Sequence, residues 1–368
     1  MYINFWYPIC KSADLGNDAP VSAQVLGTRL VAFRDSNSAP HVLSNTCVHR
    51  GGSLSKGWVK DGCVVCPYHG WRYSGDGKCQ LVPSLENGSK IPARAKLDSY
   101  PVQEKYGILF AFLGDLPEAE RPPLYEIENY DSDGWRASKP VIIELNAYYE
   151  RSIENGLDPM HNEFVHPAQG NVTPIMDTLK MTKADWGQKL SIKMGMKHED
   201  QLTLTELQGG PGELGATSSH HGPNTLITSI DLSAQNNFTQ YMFEQPVNDD
   251  KTRIFFVNTR NCLLEPEQDD RIQEVNLRVA GEDIGVIEAL YPVRTPETTT
   301  KELLGTGEGC IAGFRKLLKE WERHGWRIDL AALRENKGDV AYAIPSPERL
   351  TSGNWVLDTI PLMPSTGG

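Results

Sequence analysis

At 368 residues the chain exceeds one ordinary domain and suits two, and its apolar and charged fractions of 39% and 23% exclude a disordered or collagen-like polypeptide. No run of 18 apolar residues occurs, so no membrane-spanning helix and no membrane association are expected. The net charge of −12, from 36 basic against 48 acidic side chains, argues against nonspecific nucleic-acid binding, which needs a basic face.

The amino terminus carries Lys11 alone before its first acid and no long apolar stretch, so no signal peptide is expected. Seven cysteines, an odd and scattered count, suit a reducing, cytoplasmic setting better than a disulfide framework. The first third reads as β-structure. Val21–Val25, Arg29–Phe33, His41–Ser44, Cys63–Val65 and Trp71–Tyr73 are short, mostly branched or aromatic segments separated by turn residues. Gly75-Asp76-Gly77 marks a turn, and Gly107–Leu113 is apolar throughout, as in a buried strand. The stretch from Gly114 to Pro123 holds three acids, one arginine and three prolines and marks the best boundary. Residues 1–115 and 116–368 are thus expected to form separate domains.

Beyond the boundary, Ile142–Asn146 predicts a strand feeding a helix that starts near Ala147. Leu202–Leu207, Thr225–Leu232, Phe238–Gln245 and Arg253–Asn258 are strand-like, while Gly209–Pro223 is Gly-rich and reads as a hairpin tip or lid. Asp269–Leu290 has helical spacing, with Ile272, Val275, Val279 and Val286 to one side, and Thr306–His324 is a second helix. The expected class is α+β, with a long C-terminal helix held by a curved antiparallel sheet.

Two constellations carry chemistry. Cys47-Val48-His49-Arg50-Gly51 and Cys66-Pro67-Tyr68-His69-Gly70-Trp71 each supply one thiolate and one imidazole, with sixteen residues between His49 and Cys66. A structural zinc takes such donors, and so does a Rieske [2Fe–2S] cluster, which sorts two Cys onto one iron and two His onto the other. The repeated arms, and the glycines where backbone must approach inorganic sulfide closely, favour the cluster. Cys63 forms a superficial C-x-x-C with Cys66 but reads as a core residue, as do Cys10, Cys79, Cys262 and Cys310.

The second constellation is Asp158-x-x-His161-x-x-x-x-His166. Five residues turn a straight helix by about 500°, which would point the two rings about 140° apart. Pro159 and Pro167 oppose a straight helix here, and a bulge or a helix end would bring the rings together. A non-haem Fe(II) site needs two His, one carboxylate and open positions for O2. Asp158, one turn before His161, is placed to hydrogen-bond a ligand imidazole and fix its tautomer. Asn155, one turn earlier still, reads either as a neighbour of the iron or as a surface amide. His220-His221 are expected to face solvent, and His41, His198 and His324 have no metal-like spacing. No flavin or nicotinamide fingerprint is present, so reducing equivalents must come through separate proteins.

CVHRGG and CPYHGW resemble the Rieske motif of ring-hydroxylating and demethylating oxygenases, and the likeness extends over nearly the whole chain. It implies a Rieske domain with a cluster on Cys47, His49, Cys66 and His69, followed by a helix-grip (START-like) catalytic domain. The third iron ligand of that family is an Asp on the C-terminal helix. Gly281–Glu288 resembles its pattern, which makes Asp283 the ligand and leaves Glu282 and Glu288 as the other candidates. The resemblance further implies that Asp158 links His161 to His69 of the partner subunit in a head-to-tail homotrimer, a geometry that shortens electron transfer. The implied activity is that of a terminal oxygenase component. It would use O2, and NAD(P)H electrons delivered by a ferredoxin or flavin reductase, to hydroxylate or oxidatively demethylate a mainly apolar small molecule. The chain length and Phe5-Trp6-Tyr7-Pro8 are similar to the α-only members, favouring monooxygenation over ring cis-dihydroxylation. A Rieske electron carrier with an inert second domain, and a zinc-stabilised ligand-binding protein, are the rival classes.

Overall fold

The computed structural model describes residues 1–86, 89–167, 172–195 and 213–366. The chain divides into two compact units, the first built from Met1–Leu124, Gln245–Asn248 and Trp321–Gly368, the second from Tyr125–Glu244 and Asp249–Glu320.

The first unit is nearly all β. Strand β1 (Phe5–Lys11) is an edge of a three-stranded sheet whose centre is β11 (Ile108–Leu113) and whose other edge is β10 (Val102–Lys105). Every residue of β11 is buried, as its unbroken apolar run predicts. A second sheet takes the order β2 (Val21–Val25), β3 (Thr28–Arg34), β4 (Pro40–Ser44), β9 (Ser99–Tyr100). A third is a meander of β5 (Trp58–Lys60), β6 (Cys63–Val65), β7 (Arg72–Tyr73) and β8 (Cys79–Leu81). Cys47 and Cys66 belong to one core cluster with Val31, Leu43, Val64 and Tyr73, so apolar packing fixes the bases of both motif loops.

The separation after Leu124 follows the Pro-rich boundary, but the carboxyl-terminal residues do not stay with the second unit as a linear division at 116 would have them. Polar and aromatic anchors explain their return. Arg349 donates to both carboxylate oxygens of fully buried Asp98, at 2.7 and 2.8 Å, and the Ser346 hydroxyl adds a third bond to it. Trp321 meets Phe5 edge to face at 4.8 Å. This segment also carries α5 (Leu330–Glu335) and the short parallel pair β20 (Tyr342–Ala343) and β21 (Asp358–Thr359).

The second unit holds an eight-stranded sheet. Strands β14 (Thr173–Ala184), β15 (Gly187–Gly195), β16 (Glu213–His221), β17 (Thr225–Asp231), β18 (Asn237–Pro246) and β19 (Thr252–Arg260) lie in sequential order. β12 (Arg136–Ala137) and β13 (Val141–Leu145) both pair antiparallel with β19. Two short helices, α1 (Tyr149–Gly156) and α2 (Asn162–Val165), lead from β13 toward β14. The long helix α3 (Asp269–Ile287) and then α4 (Gly309–Arg323) follow the sheet. Ile287 of α3 packs with Leu145, Ala147 and Ile254, the helix-on-sheet contact expected of a helix-grip domain.

Three expectations are corrected or left aside. Residues 213–221 form a regular strand, so the Gly-rich stretch is a loop neither at His220 nor at His221. His220 is buried: its Nδ1 donates to the Gly222 carbonyl at 2.9 Å, its ring packs edge-on against Phe314, and burial lowers its pKa to about 4. Val286 is 42% exposed, and Ile287 takes its place on the buried face of α3, against Leu145, Ala147 and Ile254. The strand expected at Leu202–Leu207, and His198, lie outside the described residues.

Candidate metal centres

The two Cys-His loops are structural duplicates. In each, the cysteine N–H donates to a carbonyl five residues on (Cys47 to Gly52, Cys66 to Trp71), and a glycine N–H four residues on returns a bond to the cysteine carbonyl (Gly51 and Gly70). Both glycines have left-handed backbone, φ of 69° and 71°, which a side chain would strain. A Cβ on Gly52 would lie 2.9 Å from Cys66 Sγ, so backbone closes tightly over the sulfur. The thiols of Cys47 and Cys66 are buried, while the rings of His49 and His69 are exposed with centroids 4.4 Å apart. Trp71 stacks on His49 at 4.7 Å and 5°, and the Tyr73 hydroxyl lies 3.2 Å from Cys47 Sγ.

This donor set fits a two-iron cluster. Among the described residues, only His161, His166 and Asp283 bring three ligand atoms within 4.8 Å of one another. The four loop donors sort into a buried sulfur pair and an outer imidazole pair, the division that the two irons of such a cluster require.

The second site begins where α1 stops. Gly156 ends that helix, the chain turns through Pro159, and His161 and His166 flank the four-residue α2 at either end. His166 leaves helical geometry at φ −110°, ψ 71°. The interrupted helix is what lets rings five residues apart meet, with their Nε2 atoms 3.1 Å from each other. Asp283 Oδ1 lies 3.5 Å from His161 Nε2 and 3.3 Å from His166 Nε2. Asn155 Nδ2 donates to the same oxygen at 2.9 Å, so Asn155 borders the site rather than the surface.

Glu282 and Glu288 have other tasks. Glu282 Oε2 lies 3.0 Å from His166 Nδ1, and Glu288 accepts from the backbone and side chain of Asn146. The ring of His161 is held by the Asp158 backbone carbonyl, 2.6 Å from Nδ1, and not by the Asp158 carboxylate as expected; that carboxylate closes its own turn by accepting from Met160 N–H at 2.7 Å. Sequence reasoning missed the orienting role of Glu282, although its place beside Asp283 is the available signal.

These contacts test the fit of a cation. Each Nδ1 faces an acceptor and therefore carries its proton, so both Nε2 lone pairs point toward each other and toward a carboxylate oxygen. Three lone-pair donors this close repel unless positive charge lies among them, and the set suits a divalent ion. The same pressure shows in the protonation equilibria. Burial lowers the pKa of His161, while burial of His166 is outweighed by Asp283 and Glu282, which raise it. Burial of Asp283 is outweighed by His166, His161 and the Asn155 amide, which hold the carboxyl below its usual range.

The triad borders a cavity of about 220 Å³ between the sheet and α3. Its walls are mostly aliphatic, among them Leu190, Ile192, Leu226, Ile254 and Val279, as a small-molecule site requires.

Comparison with known proteins agrees with this arrangement. Residues 5–101 match the Rieske [2Fe-2S] domain, and residues 145–324 match the vanillate O-demethylase oxygenase C-terminal domain. The oxygenase component of 3-ketosteroid-9-alpha-monooxygenase from Rhodococcus rhodochrous is 35% identical over 168 residues, 44% of this chain and 43% of that protein. The oxygenase subunit of 3-chlorobenzoate-3,4-dioxygenase from Comamonas testosteroni is 31% identical over 166 residues, 44% of this chain and 37% of that one. The aligned stretch thus spans less than half of either relative. NdmA of Pseudomonas putida CBB5, solved with caffeine, shares the fold at a TM-score of 0.72 and 24% identity, over 87% of this chain and 91% of its own. The first matched domain contains all four loop donors and the second contains the whole His-His-Asp triad, in the order the sequence anticipates; the chain belongs to the Rieske non-haem iron oxygenases.

Proposed function

We infer that this chain is the terminal oxygenase component of a multicomponent system, hydroxylating or oxidatively demethylating a mainly apolar small molecule. The observation that carries it is the convergence of His161, His166 and Asp283 on an aliphatic cavity. When bound, the cluster supplies single electrons and the ferrous ion supplies the place where O2 is activated. The chain's own residues prepare that place. Asp158 O and Glu282 fix both histidine tautomers, Asn155 steadies Asp283, and the aliphatic walls exclude water and hold the substrate against the triad. Monooxygenation or demethylation is favoured by the family of the second domain and by the Rhodococcus relative. Likeness to a chlorobenzoate dioxygenase supports ring dihydroxylation as the second reading.

Electrons come, in this reading, from a ferredoxin or flavin reductase, and the active form is a head-to-tail homotrimer. Support for the trimer lies in Asp158, whose Oδ1 serves Met160 while its Oδ2 makes no hydrogen bond among the described residues, leaving it for His69 of the partner subunit. Seven free cysteines suit a reducing compartment, and no described helix is long and apolar enough to cross a membrane. The test is metal content with activity. Anaerobically purified protein should hold about three irons per chain, two in a visible Rieske chromophore, and should oxygenate members of a panel of methoxy, N-methyl and sterol compounds when driven by hydrogen peroxide. Two irons and no product would leave an electron carrier, and a colourless zinc protein would overturn both.

A further inference from the structure

The cavity wall carries a polar chain across β17, β18 and α3 that the metal site does not use. Thr228 Oγ1 donates to Gln240 Oε1 at 3.0 Å, and Gln240 Nε2 donates to Asn276 Oδ1 at 3.1 Å. All three residues line the cavity, one on β17, one on β18 and one on α3. Asn276 is only 5% exposed, and its Nδ2 has no hydrogen-bond partner among the described residues. Its carbonyl end is occupied by Gln240, which leaves the amide N–H groups as the unpaired end of the relay. A buried amide donor left unpaired is costly, and such a group in a binding site is explained when a ligand satisfies it. Asn276 lies seven residues before Asp283, two helical turns or about 10 Å along the same face of α3. Apart from the metal triad, the described lining residues include no His, Lys or Arg, so no cationic side chain away from the triad would neutralise a carboxylate.

We propose that Asn276 is the substrate-positioning residue of this cavity, donating to a neutral carbonyl oxygen at the end of the substrate distal to the carbon oxidised beside Asp283. This rests on the oxygenase function inferred above and narrows it. The substrate class is an uncharged, mainly apolar compound about 10 Å long, with a ketone, lactone or lactam at one end and the reacting methyl or C–H at the other. Aromatic acids are poorer ligands because their charge finds no partner.

The test measures binding to the anaerobic holoenzyme without reductase by calorimetry, with matched probes: 7-methoxycoumarin against 7-methoxychroman, and 1-tetralone against tetralin, plus 6-methoxy-2-naphthoic acid as the charged comparison. Wild type should favour each carbonyl compound over its partner by about fivefold to thirtyfold, the range of one buried hydrogen bond, and should bind the acid weakly. Asn276→Leu should bring that ratio to about one while leaving affinity for chroman and tetralin within about twofold; Asn276→Ala, read by the same ratio, serves if the Leu variant misfolds. A wild type that prefers no carbonyl compound, for want of any binding included, overturns the proposal, as does a variant that weakens both members of a pair alike. The visible spectrum and iron content of the same samples report separately on the oxygenase reading, which stands or falls by those and not by the ratios.

Discussion

Glu282 Oε2 lies 3.0 Å from His166 Nδ1, on the side of the ring opposite the converging donors. That contact presents Nε2 as a lone pair and makes the imidazole more basic toward a metal. Glu282→Ala should therefore weaken ferrous-ion retention by about tenfold to a hundredfold. Glu282→Gln, which keeps an acceptor oxygen, should lose less. Iron content checks both: the variant should keep its two cluster irons and its Rieske spectrum while the mononuclear iron washes out under mild chelation. Loss of all iron together would point to unfolding.

A substitution at Asp158 separates its local hydrogen bond from the proposed bridge between subunits. Its Oδ1 accepts from Met160 N–H, and an Asn side chain accepts there equally well. Since His161 is oriented by the Asp158 backbone carbonyl, Asp158→Asn leaves that contact in place. The variant should bind both metals at wild-type levels. Product formation supported by the reductase should nevertheless fall by at least about a hundredfold if the carboxylate bridges subunits, whereas peroxide-driven product should survive. Unchanged reductase-supported turnover would remove the bridging role.

Much of this was legible because the cluster donors lie within two short loops, where spacing and flanking glycines are local properties. The failure of a straight helix at His161 and His166 was legible for the same reason, since Pro159 and Pro167 stand inside the motif. Asp283 was not readable from spacing: it lies in a separate helix, and only family resemblance connected it to the histidines. Composition misled at His220, where surrounding glycines suggested a loop although residues 213–221 pair with strands on both sides. The return of Arg349 to Asp98 left no local mark at all, because neither residue carries a pattern until the fold brings them together. Asn276 interrupts the apolar stripe of α3 between Ile272 and Val279, and a lone amide in such a stripe is the signal that was available.

Tyr73 is placed to tune a cluster held by Cys47. With Cys47 as a thiolate ligand, the Tyr73 hydroxyl 3.2 Å from its sulfur is the donor, and burial together with the adjacent cysteines keeps the phenol protonated. Hydrogen bonds to cluster sulfur stabilise the reduced, more negative state. Tyr73→Phe should lower the midpoint potential by about 40 mV, the equivalent of a hydrogen bond of about 1 kcal/mol in a one-electron couple. Protein-film voltammetry or a redox titration of the visible bands measures the shift, and an unchanged potential would show that this hydroxyl does not tune the cluster.

Glu244 predicts a pH dependence opposite in sign to that of an ordinary paired carboxylate. It is fully buried, its Oε1 accepts from the Ser152 hydroxyl at 2.7 Å, and its Oε2 has no hydrogen-bond partner among the described residues. Burial raises its pKa from 4.5 to about 8, with the Ser152 bond pulling the other way. The folded chain thus retains a proton that the unfolded chain has released, so the stability tied to this group is complete below pH 4.5 and declines as pH rises toward about 8, becoming constant above it. The decline is on the order of a few kcal/mol. Glu244→Gln keeps an acceptor for Ser152 and cannot ionise. Urea denaturation of both proteins at pH 6 and pH 9 should show the variant gaining stability relative to wild type at the higher pH. Parallel profiles would mean that Glu244 is solvated or paired in solution and does not hold the proton.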